Sequence, residues 1–219
     1  AAVAETGDTV FRLAILSDRT GGHVPGVYPR VIEEINLLGP DIVVTVGDHI
    51  EGYTDDMEWA NAEWDSLMGL IGRLEAPVYM TAGNHDIWSE PSEEVYTRRT
   101  GRQPYYSFDH ANSHFVVLDN SRFDSWSDMP ETQRLWLIAD LEANRDAANT
   151  FVVCHKPLWY YTLAVGEPDA LHEILKEFDI DAVFCGHFHH YFAGCYDGID
   201  YRAIGSSGGT LASISIARR

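Results

Sequence analysis

With 219 residues, 45% of them hydrophobic, the chain is long enough to bury one substantial core. It sets 34 Asp and Glu against 15 Lys and Arg, and its net charge of −19 argues against the clustered basic surface that nucleic acid requires. No apolar run is long enough to span a membrane. The three cysteines, Cys154, Cys185 and Cys195, lack the spacing of a disulfide framework or a zinc knuckle and read as free thiols.

Ala1-Ala2-Val3-Ala4 carries an A-x-A pattern like the end of a signal-peptidase site, which favours export, periplasmic or secreted, over a cytoplasmic location. The elements begin with an apolar strand at 10–16 and a loop from Ser17 to His23. Val27, Val31, Ile32, Ile35 and Leu38 share a helical face, and Gly39-Pro40 stops that helix. A buried strand at 41–46 leads into Gly47-Asp48-His49-Ile50-Glu51-Gly52. A helix at 57–74 and a strand at 77–81 follow, and that strand ends in Gly83-Asn84-His85-Asp86. Next come a short helix at 91–100 and a hairpin of strands at 105–108 and 114–118. A polar loop leads to a helix from Pro130-Glu131 to Asn144 and a buried strand at 150–154 ending at His155. The aromatic stretch 157–168 reads as a loop, followed by a helix at 169–178. The last parallel strand, 181–185, ends in Gly186-His187-Phe188-His189, and the tail from Tyr191 turns at Asp197-Gly198 as a hairpin in a second sheet. No linker or repeat divides the chain, so 1–219 reads as a single domain with 1–8 a flexible N-terminal segment.

Strands alternating with helices argue for parallel pairing and an α/β fold, whose ligand edge is the carboxyl end of the strands. Asp18, Asp48, Asn84, His155 and the His187–His189 pair all fall on such strand ends. A carboxylate there is costly unless something pairs with it. Carboxylate, amide oxygen and imidazole together suit Mn, Fe, Zn or Co. Gly47, Gly83 and Gly186 each precede a candidate ligand and let backbone and metal approach closely.

The series Asp18, Gly47-Asp48, Gly83-Asn84-His85-Asp86, His155 and Gly186-His187-Phe188-His189 resembles the calcineurin-like metallophosphoesterases, in that family's order and over nearly the whole chain. The resemblance implies a four-layer α/β/β/α sandwich of two mixed sheets with a dinuclear metal site. It implies that one metal takes Asp48, Asn84, His155 and His187, and the other Asp18, Asp48 and His189. It implies a metal-dependent hydrolase of phosphoric esters, monoester or diester, in which a hydroxide bridging the metals attacks phosphorus. His85 assists the leaving group and Asp86 orients its ring. The rival reading is a degenerate relative that binds a phosphorylated ligand or a single metal without turnover.

One motif departs from the pattern. The family's first motif is Asp-x-His; here it is Asp18-Arg19-Thr20. Purple acid phosphatases, distant members of the family, also lack that histidine, and a tyrosine at the position of Glu51 ligates instead. Glu51 is therefore the expected replacement ligand, with His23 its rival, and an oxygen-rich first site favours Fe or Mn over Zn. Arg19 and Arg122 could meet phosphate through the guanidinium fork or form surface salt bridges. Asn84, His85 and Trp159 complete the expected substrate contacts, although Trp159 could equally fill the space between sheet and helix, and Trp88 shares that ambiguity. Trp59, Trp64 and Trp136 read as core; His110, His114 and His172 as structural or surface residues; His190 as exposed; and His49 as turned away from the metals. The expected partner is a small phosphoester, with the oligomeric state left open.

Overall fold

The computed structural model describes residues 10–211. The A-x-A pattern, the flexible segment expected over 1–8 and the C-terminal 212–219 lie outside the described residues. Three parallel strands, β1 (Leu13–Leu16), β2 (Ile42–Thr45) and β3 (Val78–Tyr79), form one sheet in the order β1-β2-β3. Helices α1 (Val27–Leu38), α2 (Met57–Ile71) and α3 (Glu90–Thr100) follow these strands in turn. The bounds of α1 coincide with the expected ones: Gly39 takes a left-handed φ of 56° and Pro40 cannot continue the helix. At the start of α2, the Asp56 carboxylate accepts the Glu58 and Trp59 N–H groups.

The second sheet has six strands: β4 (Tyr106–His110), β5 (Ser113–Val117), β6 (Asn149–Val153), β7 (Ala182–Cys185), β8 (Phe192–Tyr196) and β9 (Ile199–Ala203), in the order β4-β5-β6-β7-β9-β8. Helices α4 (Glu131–Ala143), α5 (Tyr160–Val165) and α6 (Ala170–Glu177) cover it. The β8–β9 hairpin lies in this sheet because β9 pairs parallel with β7, so β6 and β7 share a sheet with it rather than with β1–β3. Helix α5 occupies part of what reads as an aromatic loop.

The period of two along each strand builds the layers. Ile42, Val44 and Val46 face the other sheet and pack with Phe115, Val117 and Val153. Val43 points the opposite way, toward Ile32, Ile35, Trp64 and Leu67 of α1 and α2. Val116, Val152 and Val183 face Leu137, Leu141, Leu171 and Leu175 of α4 and α6. The result is an α/β/β/α sandwich, and no helix among the described residues is long and apolar enough to cross a membrane. Trp64 is core as expected, whereas Trp59 lies one helical step off that face and is 43% exposed. The carboxyl ends of β1, β2 and β3 meet those of β6 and β7 at one edge of the sandwich.

Candidate metal centre

At that edge two groups of side chains converge. Asp48, His155 and His187 form one; Asp18, Asp48 and His189 form the other, and within each group the ligand atoms lie within 4.8 Å of one another. Asp48 belongs to both. Its Oδ1 accepts the His85 N–H at 3.0 Å, and its Oδ2 lies 3.2 Å from His155 Nε2. Asn84 Oδ1 stands 2.9 Å and His187 Nδ1 3.2 Å from that same nitrogen. These separations are close to the roughly 3.0 Å ligand-to-ligand edge of an octahedral shell with bonds of about 2.1 Å.

The hydrogen bonding of His155 shows why a cation fits. Its Nδ1–H donates to the Val46 carbonyl at 2.7 Å, which leaves Nε2 as a lone pair facing the oxygens of Asn84 and Asp48. Only a positive centre reconciles so many lone pairs in a buried space. Without a metal the charge is a proton. Burial opposes the His155 imidazolium, but the Asp48 and Asp18 carboxylates pull its pKa up to about 9. Burial also opposes the charge on Asp48, yet His155 and His85 hold its carboxyl well below the usual carboxylate range. His187, desolvated and beside that imidazolium, falls to about 4.

The second group is fixed in a similar way. His189 Nδ1–H donates to the Thr210 carbonyl at 2.7 Å and turns Nε2 to within 3.4 Å of Asp18 Oδ1. The hydrogen bond to Asp18 raises the His189 pKa against the effect of burial. Asp18 Oδ1 also accepts the His187 N–H at 2.8 Å, which ties the end of β1 to the end of β7 across the two sheets. Asp48, His187 and His189 adopt left-handed φ angles of 57°, 74° and 56°, a local strain concentrated on the candidate ligands. A Cβ at Gly83 would overlap the Asp48 carboxylate, so a side chain there is incompatible with this packing.

The other expected site residues are distributed differently. Glu51 lies in neither ligand group: its carboxylate accepts the N–H groups of Gly22 at 3.3 Å and His23 at 3.0 Å. His23 is the exposed partner of Glu51. Thr20 is buried and donates its hydroxyl to the Ile50 carbonyl at 2.7 Å, so it pins the loop after β2. Asp86 does not orient His85. Its Oδ1 accepts the His49 N–H, and its Oδ2 accepts the Gly83 N–H and stands 2.7 Å from His49 Nδ1. The His85 ring is held instead by the Glu51 carbonyl, 2.6 Å from Nδ1. His49 points away from the ligand groups, as expected. Arg19 donates to the His49 carbonyl at 2.8 Å and Arg122 pairs with Glu93, so both guanidinium groups are engaged within the protein. Trp159 is a core residue, 2% exposed, packed between Phe192 and Tyr201 with its Nε1–H on Cys185 Sγ. Cys154 and Cys185 are buried free thiols.

Two contributors are not evident from the sequence pattern. Asn120 accepts the N–H groups of His155 and Lys156, each at 3.0 Å, and donates to the Lys156 carbonyl, which clamps the strand end that carries His155. Its signal was present, because Asp119-Asn120 follows an apolar strand just as the ligand motifs do. The other is Tyr53, whose hydroxyl accepts from Asn84 Nδ2 at 3.1 Å.

Known proteins share this architecture. A dimetal phosphatase from Danio rerio superposes with a TM-score of 0.70 at 16% identity, covering 91% of this chain and 88% of that one. Human serine/threonine-protein phosphatase CPPED1 is 25% identical over 192 residues, 78% of this chain and 61% of its own length. Purple acid phosphatase 21 of Arabidopsis thaliana is 32% identical, over 74% of this chain and 40% of its own. The chain thus spans about three fifths or less of these curated relatives. The family model described as calcineurin-like phosphoesterase matches residues 3–191, from ahead of β1 to beyond His189. A match of that extent makes this chain a member of the calcineurin-like phosphoesterase family.

Proposed function

We infer that this chain is a metal-dependent hydrolase of phosphoric esters acting on a small phosphomonoester or phosphodiester. The observation that carries the reading is the sharing of Asp48 between two buried ligand groups, an arrangement suited to two cations side by side. Asp48, Asn84, His155 and His187 would hold one ion, and Asp18, Asp48 and His189 the other. The mixed nitrogen and oxygen donors suit Mn, Fe or Zn. When bound, a cation pair lowers the pKa of water and neutralises charge on the phosphoryl oxygens.

The chain's own residues do the rest. His85 gives its Nδ1–H to the Glu51 carbonyl, and the doubly protonated ring would donate its Nε2 proton to the departing oxygen. The His85 main chain is tied to Asp48 Oδ1, so acid and ligand group move as one piece. Asn120 holds His155 in register, and the Asp86–His49 contact braces the loop after β2 against the turn after β3.

Hydrolysis of nitrophenyl phosphate and bis-nitrophenyl phosphate by chelator-treated protein, with and without added Mn²⁺, tests this reading. Activity that appears with the metal is the expected result. Two bound ions per chain with no turnover on these or a wider phosphoester panel would replace it with ligand binding alone.

A further inference from the structure

Asn84 is the one amide in its ligand group, and an amide can present either end. Its Oδ1 faces His155 Nε2 and its Nδ2 faces Tyr53 Oη. A cation among Asp48, His155 and His187 attracts the amide oxygen and repels the NH₂ group. The NH₂ then needs an acceptor on its outer side, and the Tyr53 hydroxyl stands in that place.

The backbone around Tyr53 is shaped for this contact. Gly52 and Tyr53 take consecutive left-handed φ angles of 57° and 51°, an uncommon conformation for a tyrosine. A Cβ at Gly52 would overlap the His85 carbonyl, so the loop presses against the turn that carries Asn84 and His85. The Tyr53 ring stands edge-on to the His85 ring at 5.0 Å, yet it remains 59% exposed. The ring leans on His85 and Trp88 without being buried, and its hydroxyl makes the polar contact with Asn84.

We propose that Tyr53 is a positioning residue of the metal centre, its hydroxyl holding the Asn84 amide with Oδ1 turned into the Asp48–His155–His187 group. The assignment rests on the reading of the site as a dinuclear centre. Partners of this kind, one step removed from the metal, are typically worth about 10- to 100-fold in metal affinity.

The test compares wild-type protein with Tyr53→Phe, which keeps the ring and removes one oxygen from an exposed loop. Both are stripped with chelator and titrated with Mn²⁺ by calorimetry. One of the two sites weakens on the order of tenfold while the other is unchanged. Nitrophenyl phosphatase kcat/KM falls by a similar factor at limiting Mn²⁺ and returns at saturating Mn²⁺. A purely structural defect would not be reversed by metal. Superimposable isotherms for the two proteins overturn the role given to Tyr53. A wild-type protein that takes up no Mn²⁺ overturns the metal-centre reading itself, and the assignment falls with it.

Discussion

Two kinds of buried histidine–carboxylate group in this chain use the same residue types to opposite ends. Around His114, both ring nitrogens face carboxylates, Nδ1 at 2.7 Å from Asp109 and Nε2 at 2.9 Å from Asp140. A doubly protonated ring satisfies both acids, and the group is closed. His49 is closed in a similar way, between Asp86 and the Thr45 hydroxyl. At the strand ends, His155 and His189 each give one N–H to a backbone carbonyl and turn the other nitrogen toward a carboxylate, where either a proton or a cation can sit. The far nitrogen therefore distinguishes the two kinds. A carbonyl partner fixes the tautomer and frees a lone pair for a cation, whereas an acid or hydroxyl on each side uses up the ring.

Removal of the residue that both open groups share breaks the comparison most severely. Asp48→Ala is expected to lose both metals and to lower kcat/KM on nitrophenyl phosphate by at least about 10³-fold, on the order of 4 kcal/mol of transition-state stabilisation. Metal content and steady-state kinetics, with a thermal melt as the folding control, provide the measurement. Two ions retained per chain would show that the two groups do not depend on Asp48.

The layered fold was legible because it follows from local periodicity. The stretch 41–46 alternates faces as β2, and Gly39-Pro40 ends α1 at the expected residue. The convergence of Asp18, Asp48, His155, His187 and His189 was legible for a related reason: each follows the carboxyl end of a strand, and parallel strands bring those ends to one edge. Contacts set by the path of a loop were not legible. Asp86 turns to His49 because the Gly47–Gly52 loop crosses the turn after β3, and Glu51 turns to Gly22 and His23 because the loop after β1 passes over it. Neither path leaves a periodic trace. The membership of β9 beside β7 is likewise a choice of edge that alternation does not encode, and the six residues of α5 depend on docking against β8 more than on helix propensity.

The closed group predicts a smaller effect, on stability rather than on metal binding. Burial opposes the His114 imidazolium, but hydrogen bonds to Asp140 and Asp109 hold its pKa above the usual histidine value. A raised folded-state pKa contributes stability that is fully present below the unfolded value of about 6.5 and is lost as pH rises through the folded value. This part of the wild-type stability therefore declines above about pH 6.5. Asp140→Asn is expected to cost about 1.5–3 kcal/mol near pH 6 and to flatten that decline, with metal content unchanged. Denaturant titrations across about pH 5 to 9 check both parts. A wild-type slope of opposite sign, or a loss of metal from the variant, would remove the distinction between closed and open groups.

The smallest effect is expected at Glu51, which lies beside the open groups without entering either. Its carbonyl, which holds His85, survives any substitution, and its carboxylate serves the N–H groups of Gly22 and His23. Those hydrogen bonds keep the carboxyl below the usual glutamate range even though partial burial works against the charge. Glu51→Ala should therefore loosen the 21–23 loop, which packs against His189 through Gly21, and should leave two metals in place with less than about a tenfold loss in kcat/KM, under 1.4 kcal/mol. Metal content decides between this outcome and a ligand role. If the variant retains one ion where the wild type holds two, the carboxylate turns inward when a cation is present, and the first metal, lacking the histidine that Thr20 replaces, depends on Glu51. If it retains two, Asp18, Asp48 and His189 suffice as protein ligands, and the remaining coordination positions are open to water and substrate.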